Sequence, residues 1–219
     1  MELVRLSMLG GLLGLDGTAV GQFMISRPLV AGWLAGWLAG VPELGATIGA
    51  ILELYLLVSF PTGGARFPEG STAAVVAVAV ATPFGGPGAV ALAVAMGLVW
   101  GQVGGWSVTV QRRVNGRLVQ RLLEMGSSSG GLIRLHLVTI LIDFLRGAVI
   151  TSVGIGVGRF ALGLVEAGWP LSKEFSVGAL YIGAAVSLGI LLHDLGGVRR
   201  RRVLFAAGLA LGIVGARFL

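Results

Sequence analysis

The sequence predicts an all-α, polytopic membrane protein whose N-terminal helices are discontinuous or re-entrant. Three observations predict it. Hydrophobic residues fill 55% of the 219 positions and charged residues only 12%, against roughly 25% charged in an ordinary soluble domain. The mean hydropathy is +0.92, and several apolar stretches approach the roughly 20 residues that cross a bilayer as a helix. Glycine supplies 38 residues with no G-X-Y period, which excludes collagen and suits closely packed apolar helices.

The chain reads as one membrane domain, 1–219, with no room for an aqueous domain. Residues 1–87 carry broken helices and the candidate site. Residues 88–219 carry more regular spans and a basic cytoplasmic loop near 111–125. Apolar segments fall at 7–25, 28–41, 44–60, 71–83, 88–110, 135–160, 176–194 and 203–219. The first is interrupted by Leu15-Asp16-Gly17, and the segments at 28–41 and 71–83 hold about a dozen apolar residues, too few for a simple span. Such half-length segments mark re-entrant or broken helices, whose free backbone groups need protein or a wet cavity around them. Gly32, Gly36 and Gly40, and again Gly97, Gly101 and Gly105, recur at helical spacing and let neighbouring backbones approach.

The net charge is +6, but the basic residues concentrate in two clusters between apolar segments, a topology signal rather than a nucleic-acid surface. Arg112, Arg113, Arg117 and Arg121 form one cluster and residues 199–202 the other, with two apolar segments between them. An even number of crossings puts both on one face, which the positive-inside rule makes cytoplasmic. The loop from Glu166 to Glu174 then lies outside, residues 88–110 run inward, and the last segment runs outward to Arg217. Residues 112–125 place Val114, Leu118, Leu122 and Met125 on one stripe, as in an amphipathic helix lying on the inner surface. The four arginines of the first cluster are the alternative candidates for docking a cytoplasmic partner.

No cysteine is present and histidines number two, so thiol chemistry is excluded and a zinc site is not expected. No phosphate loop, nucleophile elbow or Ser/His/Asp set appears, and neither a cofactor, a metal nor a catalytic residue is expected. Met1 to Leu9 lacks a basic n-region and a cleavage pattern, so a removed signal peptide is not expected.

An acidic side chain in hydrocarbon costs about 2.5–3.5 kcal/mol even on the gentler insertion scales, so it calls for an explanation. Glu53 is the foremost case, deep in an apolar segment and expected to face a wet pocket beside broken backbone. Phe60 to Gly70 combines two prolines, three glycines and the Arg66/Glu69 pair, either a surface turn or an unwound loop that presents Gly63, Gly64 and Glu69 to a polar ligand. Asp16, Gln22, Arg27 and Gln102 could hydrogen-bond hydroxyls of a sugar or bond other helices. Asp143 and Arg146, at i and i+3, can neutralise each other, and His136 lies about two turns from Asp143 on a similar face.

Several elements occur in an order that resembles the membrane subunit IIC of the mannose/fructose/sorbose family of bacterial phosphotransferase systems. They are the early polar break at Asp16, the turn Ser26-Arg27-Pro28-Leu29, the short glycine-rich helix, the G-x-x-x-G-x-x-L-E element from Gly45 to Glu53, and the loop from Gly63 to Glu69. Gly101-Gln102, Ile133 to His136 and Leu145-Arg146 continue the likeness. Ser26 stands where the family has histidine and Glu69 where it has aspartate; Arg66-Phe67 replaces small residues or proline, and the chain is shorter at its C-terminal end than typical members.

The resemblance implies a multi-pass protein of the bacterial cytoplasmic (inner) membrane with discontinuous and re-entrant helices, translocating a sugar-like solute. It implies a IID-like membrane partner and cytoplasmic IIB and IIA subunits, the phosphohistidine being on IIB. Homo-oligomerisation is expected as well. Carried over residue by residue, Glu53, Glu69, Asp16, Arg27 and Gln102 line the sugar site. The alternative is a non-transporting scaffold or regulatory subunit that docks a cytoplasmic partner.

Overall fold

The computed structural model describes residues 1–57, 66–84, 86–126, 128–165, 168, 172–194, 196, 199 and 202–215. Gly63, Gly64, Trp169, Pro170 and Arg217 lie outside the described residues, as do two members of the second basic cluster. The described residues form eight α-helices: α1 Glu2–Thr18, α2 Pro28–Ala39, α3 Pro42–Leu56, α4 Gly70–Ala81, α5 Gly86–Glu124, α6 Ser129–Val165, α7 Lys173–Asp194 and α8 Arg202–Gly215.

The predicted short segments are short helices. α2 and α4 have 12 residues each, about 18 Å at 1.5 Å per residue, against a hydrocarbon core of about 30 Å. Local chemistry sets the ends of α2. Pro28 opens it at a position where its missing N–H costs nothing, and Gly40, at φ +78°, closes it with its N–H on the Gly36 and Trp37 carbonyls. Gly40 is therefore a cap; a Cβ there would meet nothing within 4 Å, which corrects its assignment to helix packing. Pro42 then opens α3.

The other glycines of this pair do interlock. A Cβ on Gly32 would lie 2.6 Å from the Gly45 carbonyl oxygen, one on Gly36 2.7 Å from the Val41 oxygen, and one on Gly49 2.6 Å from the Pro28 oxygen. α2 and α3 thus pack backbone against backbone, which only glycine permits.

α4 is apolar all round and buried all round: every residue from Ser71 to Ala81 is at most 2% exposed, as expected of a helix enclosed by others. α6 holds it at both ends. Arg159 donates from Nε to the Ala79 oxygen at 2.9 Å, in the last turn of α4, and its Nη2 pairs with Glu2 of α1 at 2.8 Å. Arg146, thirteen residues earlier on α6, reaches Glu69 just ahead of the first turn of α4. α4 and α6 therefore run in the same direction. α5 packs against α4 through Gly97, where a Cβ would lie 2.7 Å from the Ala73 oxygen.

Two expectations need correction. α1 does not break at Asp16; it continues to Thr18, because Asp16 turns its carboxylate onto the following loop and leaves the helical ladder intact. Nor do residues 88–110 and 112–125 form a span and a separate surface helix. They are one helix of 39 residues, about 58 Å long, since nothing between them caps or breaks it: proline is absent and Gly116 alone is tolerated. Its inward stripe runs Gly104, Val108, Gln111, Asn115 and Leu118, whereas Val114 and Met125 are exposed. With the 37 residues of α6, the far end of α5 forms a helical arm in place of the expected loop near 111–125. Arg112, Arg113, Arg117 and Arg121 are all exposed on it.

α5, α6 and α7 are long and apolar enough to cross a membrane. The interlock of α2 and α3 sets a test. Gly32→Ala should destabilise the purified protein by about 1–3 kcal/mol through overpacking, whereas Gly178→Ala, where a Cβ meets nothing within 4 Å, should leave thermal unfolding in detergent unchanged or slightly improved. Equal melting temperatures for the two variants would refute the interlock.

Candidate functional site

The helices bring two carboxylates to the starts of the two half-length helices. Glu53, on α3, pairs with Arg27 at the N-cap of α2, and its second oxygen accepts the Leu29 N–H at 3.3 Å. A carboxylate suits that position, where free N–H groups and the helix dipole favour negative charge. Glu69 occupies the N-cap of α4, with the Thr72 hydroxyl donating to its Oε2 at 2.5 Å. The two helix starts nearly touch, since a Cβ on Gly70 would lie 2.8 Å from Pro28 Cγ.

Between them lies a cavity of about 110 Å³, lined by Gly17, Thr18, Ser26, Arg27, Glu53, Glu69 and the start of α4, with Phe67 and Val108 closing its wall. Glu53 lines this cavity, but not as the isolated carboxylate that the sequence suggested. It is paired with Arg27, and its side chain keeps 17% of its exposure. Local spacing could not reveal a partner 26 residues away.

Glu69 is held more tightly. Arg146 Nη2 donates to its Oε1 at 2.8 Å and Nη1 to its Oε2 at 3.1 Å, a two-pronged fork of the kind that fits guanidinium to carboxylate. The same guanidinium gives Nε to Asp143 Oδ1 at 2.9 Å and Nη1 to the Ser107 hydroxyl at 2.9 Å. The Arg146 and Glu69 side chains are 9% and 7% exposed. The i, i+3 pair of Asp143 and Arg146 is present as expected, but sequence reasoning missed its larger use, because Glu69 lies 77 residues from Arg146. The one available signal was an arginine left in an apolar segment.

Glycines on α5 make room for this arrangement. The Glu69 N–H donates to the Gly101 oxygen at 2.9 Å, a Cβ on Gly104 would lie 2.6 Å from Glu69 Oε2, and one on Gly105 would collide with the Phe67 carbonyl. The recurrent glycines of α5 thus seat the loop that carries Glu69, beyond packing helix on helix.

Two of the expected residues take other positions. Asp16 is buried and accepts the Phe23 and Ser26 N–H groups at 2.7 and 2.9 Å, so it fixes the loop leading to Arg27 without lining the cavity. Gln102 faces outward, one step round α5 from the buried Gly101, and the structure does not bring it to the cavity. Gly63 and Gly64 fall outside the described residues. No group of three or more His, Asp or Glu that could hold a metal occurs among the described residues.

A second cavity, of about 280 Å³, adjoins the first. Thr18 and Val108 belong to both; Gln111, Arg112 and Asn115 of α5 and His136, Thr139 and Asp143 of α6 line the second.

A model of the family described as "PTS system sorbose-specific iic component" matches residues 1–166. A solved structure described as "Structure of membrane protein" superposes with a TM-score of 0.74 at 16% identity, covering 99% of this chain and 92% of that one. Another, "CryoEM Structure of Mannose Transporter ManYZ and Microcin E492 (MceA) complex", gives a TM-score of 0.62 at 16% identity with the same coverage. At that identity both likenesses speak for the fold. No curated protein matches the chain by sequence.

Removing one partner of a buried ion pair costs about 3–5 kcal/mol, so Arg146→Met should strongly lower the unfolding temperature. Arg146→Lys should rescue it only in part, since an ammonium lacks the fork. Gly104→Ala, which displaces the Glu69 carboxylate, should be destabilising as well. Thermal unfolding of detergent-purified protein decides; a wild-type curve for Arg146→Met would remove the fork from its structural role.

Proposed function

The chain belongs to the sorbose-specific IIC component family of phosphotransferase systems, and on that premise we propose that it carries a neutral, hydroxyl-rich solute of the sugar class through the cavity at Arg27, Glu53 and Glu69. As a IIC component it is an integral membrane subunit and works with other subunits of such a system. The observation that carries the site assignment is the convergence of two half-length helices, each with a carboxylate at its start, on one cavity. Broken helices meeting at a cavity are how membrane carriers present backbone and side-chain groups to a solute within the bilayer.

The chemistry suits a sugar. Carboxylates accept hydrogen bonds from hydroxyls, a guanidinium donates to ring and hydroxyl oxygens, and the two charges of Arg27 and Glu53 balance, so a neutral solute leaves no charge uncompensated. Small-molecule pockets usually measure about 300–1,000 Å³, well above the 110 Å³ of this cavity. Admitting a sugar therefore requires Arg27 and Glu53 to part and exchange each other for solute hydroxyls. Glu69, locked by Arg146, serves as the fixed wall.

The exposed arginines of the α5–α6 arm suit docking of cytoplasmic phosphoryl-carrier subunits, and the outward apolar faces of α6 and α7 suit a IID-like membrane partner or further copies of the chain. Surface charge of this kind steers encounter and is screened by salt.

Glu53→Gln should weaken sugar binding by about 10–100-fold, the worth of one hydrogen bond to a charged group, while Gln102→Ala should leave it unchanged. Titration of the purified complex with labelled L-sorbose and D-mannose measures both, and an unchanged affinity for Glu53→Gln would reject the site. Replacing Arg113, Arg117 and Arg121 together by Ala should weaken recovery of the cytoplasmic subunits and flatten its salt dependence. Pull-down at several ionic strengths reads this, and undiminished recovery would remove the arm from docking.

A further inference from the structure

We infer that the second cavity, at the root of the α5–α6 arm, is a separate binding station for the same neutral, hydroxyl-rich solute, read by Gln111 and Asn115 and parted from the first cavity by Thr18, Val108 and Asp143. The inference rests on the proposed sugar site and extends its path toward the basic end of the molecule.

Four observations carry it. The cavity measures about 280 Å³, more than twice the first and close to the lower end of small-molecule pockets, about 300 Å³. Its wall is made of amide, hydroxyl and imidazole groups on facing turns of two long helices: Gln111 and Asn115, at i and i+4 on α5, opposite His136, Thr139 and Asp143 on α6.

Gln111 Nε2 and Asn115 Oδ1 are buried with no partner among the described residues. Leaving a buried polar atom unpaired costs about 1–3 kcal/mol, and apolar residues continue this same stripe at Val108 and Leu118. Both residues line the cavity, and turning these two atoms toward it would present a donor and an acceptor one turn apart to neighbouring hydroxyls.

The charges nearby are already engaged. Asp143 is bonded to Arg146, and Arg112 sits 5.5 Å over the Phe67 ring. The station is therefore chemically suited to a neutral polyol.

The partition is thin. The Thr18 hydroxyl lies within hydrogen-bonding reach of Asp143 Oδ2 and of the Gly14 oxygen, and Thr18 lines both cavities. Rotation of that side chain away from Asp143 would break the contact that ties α1 to α6 at this partition. Asp143, in turn, shares the Arg146 guanidinium with Glu69, so the partition is tied to the wall of the first cavity. On the other side, Arg112 and His136 are exposed, which places the outer rim of the second chamber at the water around the arm.

The chain contains no cysteine, so single introduced thiols report each chamber without background. Ser26→Cys reports the first and Thr139→Cys the second, each in the full chain with its partner subunits in lipid nanodiscs. The rate of modification by a small water-soluble methanethiosulfonate is measured with and without L-sorbose or D-mannose. At sugar near ten times its dissociation constant, occupancy slows modification about tenfold.

Protection at both positions is the expected result. Adding Gln111→Leu and Asn115→Leu should then abolish protection at Cys-substituted position 139 and retain it at position 26. Retention at 26 also reports that the fold has survived; Asn115→Ala alone serves where the double replacement loses it. Protection at 26 but not at 139 overturns the second station and leaves the proposed sugar site standing, whereas protection at neither position overturns both. Protection at 139 that persists in the leucine variants would mean closure transmitted from the first cavity, and would also overturn the inference.

Discussion

The arrangement depends on one guanidinium. Arg146 grips Glu69 through both carboxylate oxygens, Asp143 through one, and the Ser107 hydroxyl with a remaining donor. Each contact joins a different element: the start of α4, α6 itself and α5. A charge of this kind inside an apolar protein is tolerable because its donors are satisfied on all sides, and a half-satisfied version would be worse than an apolar core. Lys could replace it only in part, having neither the planar fork nor enough donors in one plane.

From that clamp follows the position of α4. A 12-residue helix with no outward side chain has little besides van der Waals contact to fix it along its own axis. Arg146 holds its start through Glu69, and Arg159 holds its last turn through the Ala79 carbonyl. The thirteen residues between the two arginines span about 20 Å of α6 and α4 about 18 Å, so the spacing of the arginines matches the length of the helix they hold. With α4 fixed, its N-terminus faces that of α2, and the space between the two helix starts is the first cavity.

The two carboxylates at those starts are held differently, and the difference bears on function. Glu69 is buried and gripped by a fork, so it is rigid. Glu53 has a single guanidinium partner whose side chain is 33% exposed, and its contact with Leu29 is long at 3.3 Å. A site built from one fixed and one releasable carboxylate can exchange an internal ion pair for a solute without disturbing the clamp. The second chamber adds a polar space parted from the first at Thr18 and Asp143, and Asp143 answers to the same arginine as Glu69.

Sequence alone determined the class of molecule, the half-length helices and several of their ends. Those properties are written locally: apolar run length against bilayer thickness, and the prolines Pro28 and Pro42 at the turns between runs; Gly40, read from sequence as a packing glycine, proved to be a helix cap. The sequence also marked Glu53 and Glu69 as carboxylates in need of an explanation. It placed a break at Asp16 and a boundary after residue 110, because a polar or basic residue in an apolar run reads the same whether it ends a helix or decorates one. Only the tertiary structure decided the rest. The partners of Glu53 and Glu69 lie 26 and 77 residues away, Gln102 turned outward by one step of helix, and Gln111 and Asn115 turned inward. Pairings at such separations, and the face a helix presents, are set by how the helices stack, and stacking is a property of the whole chain that no local pattern encodes.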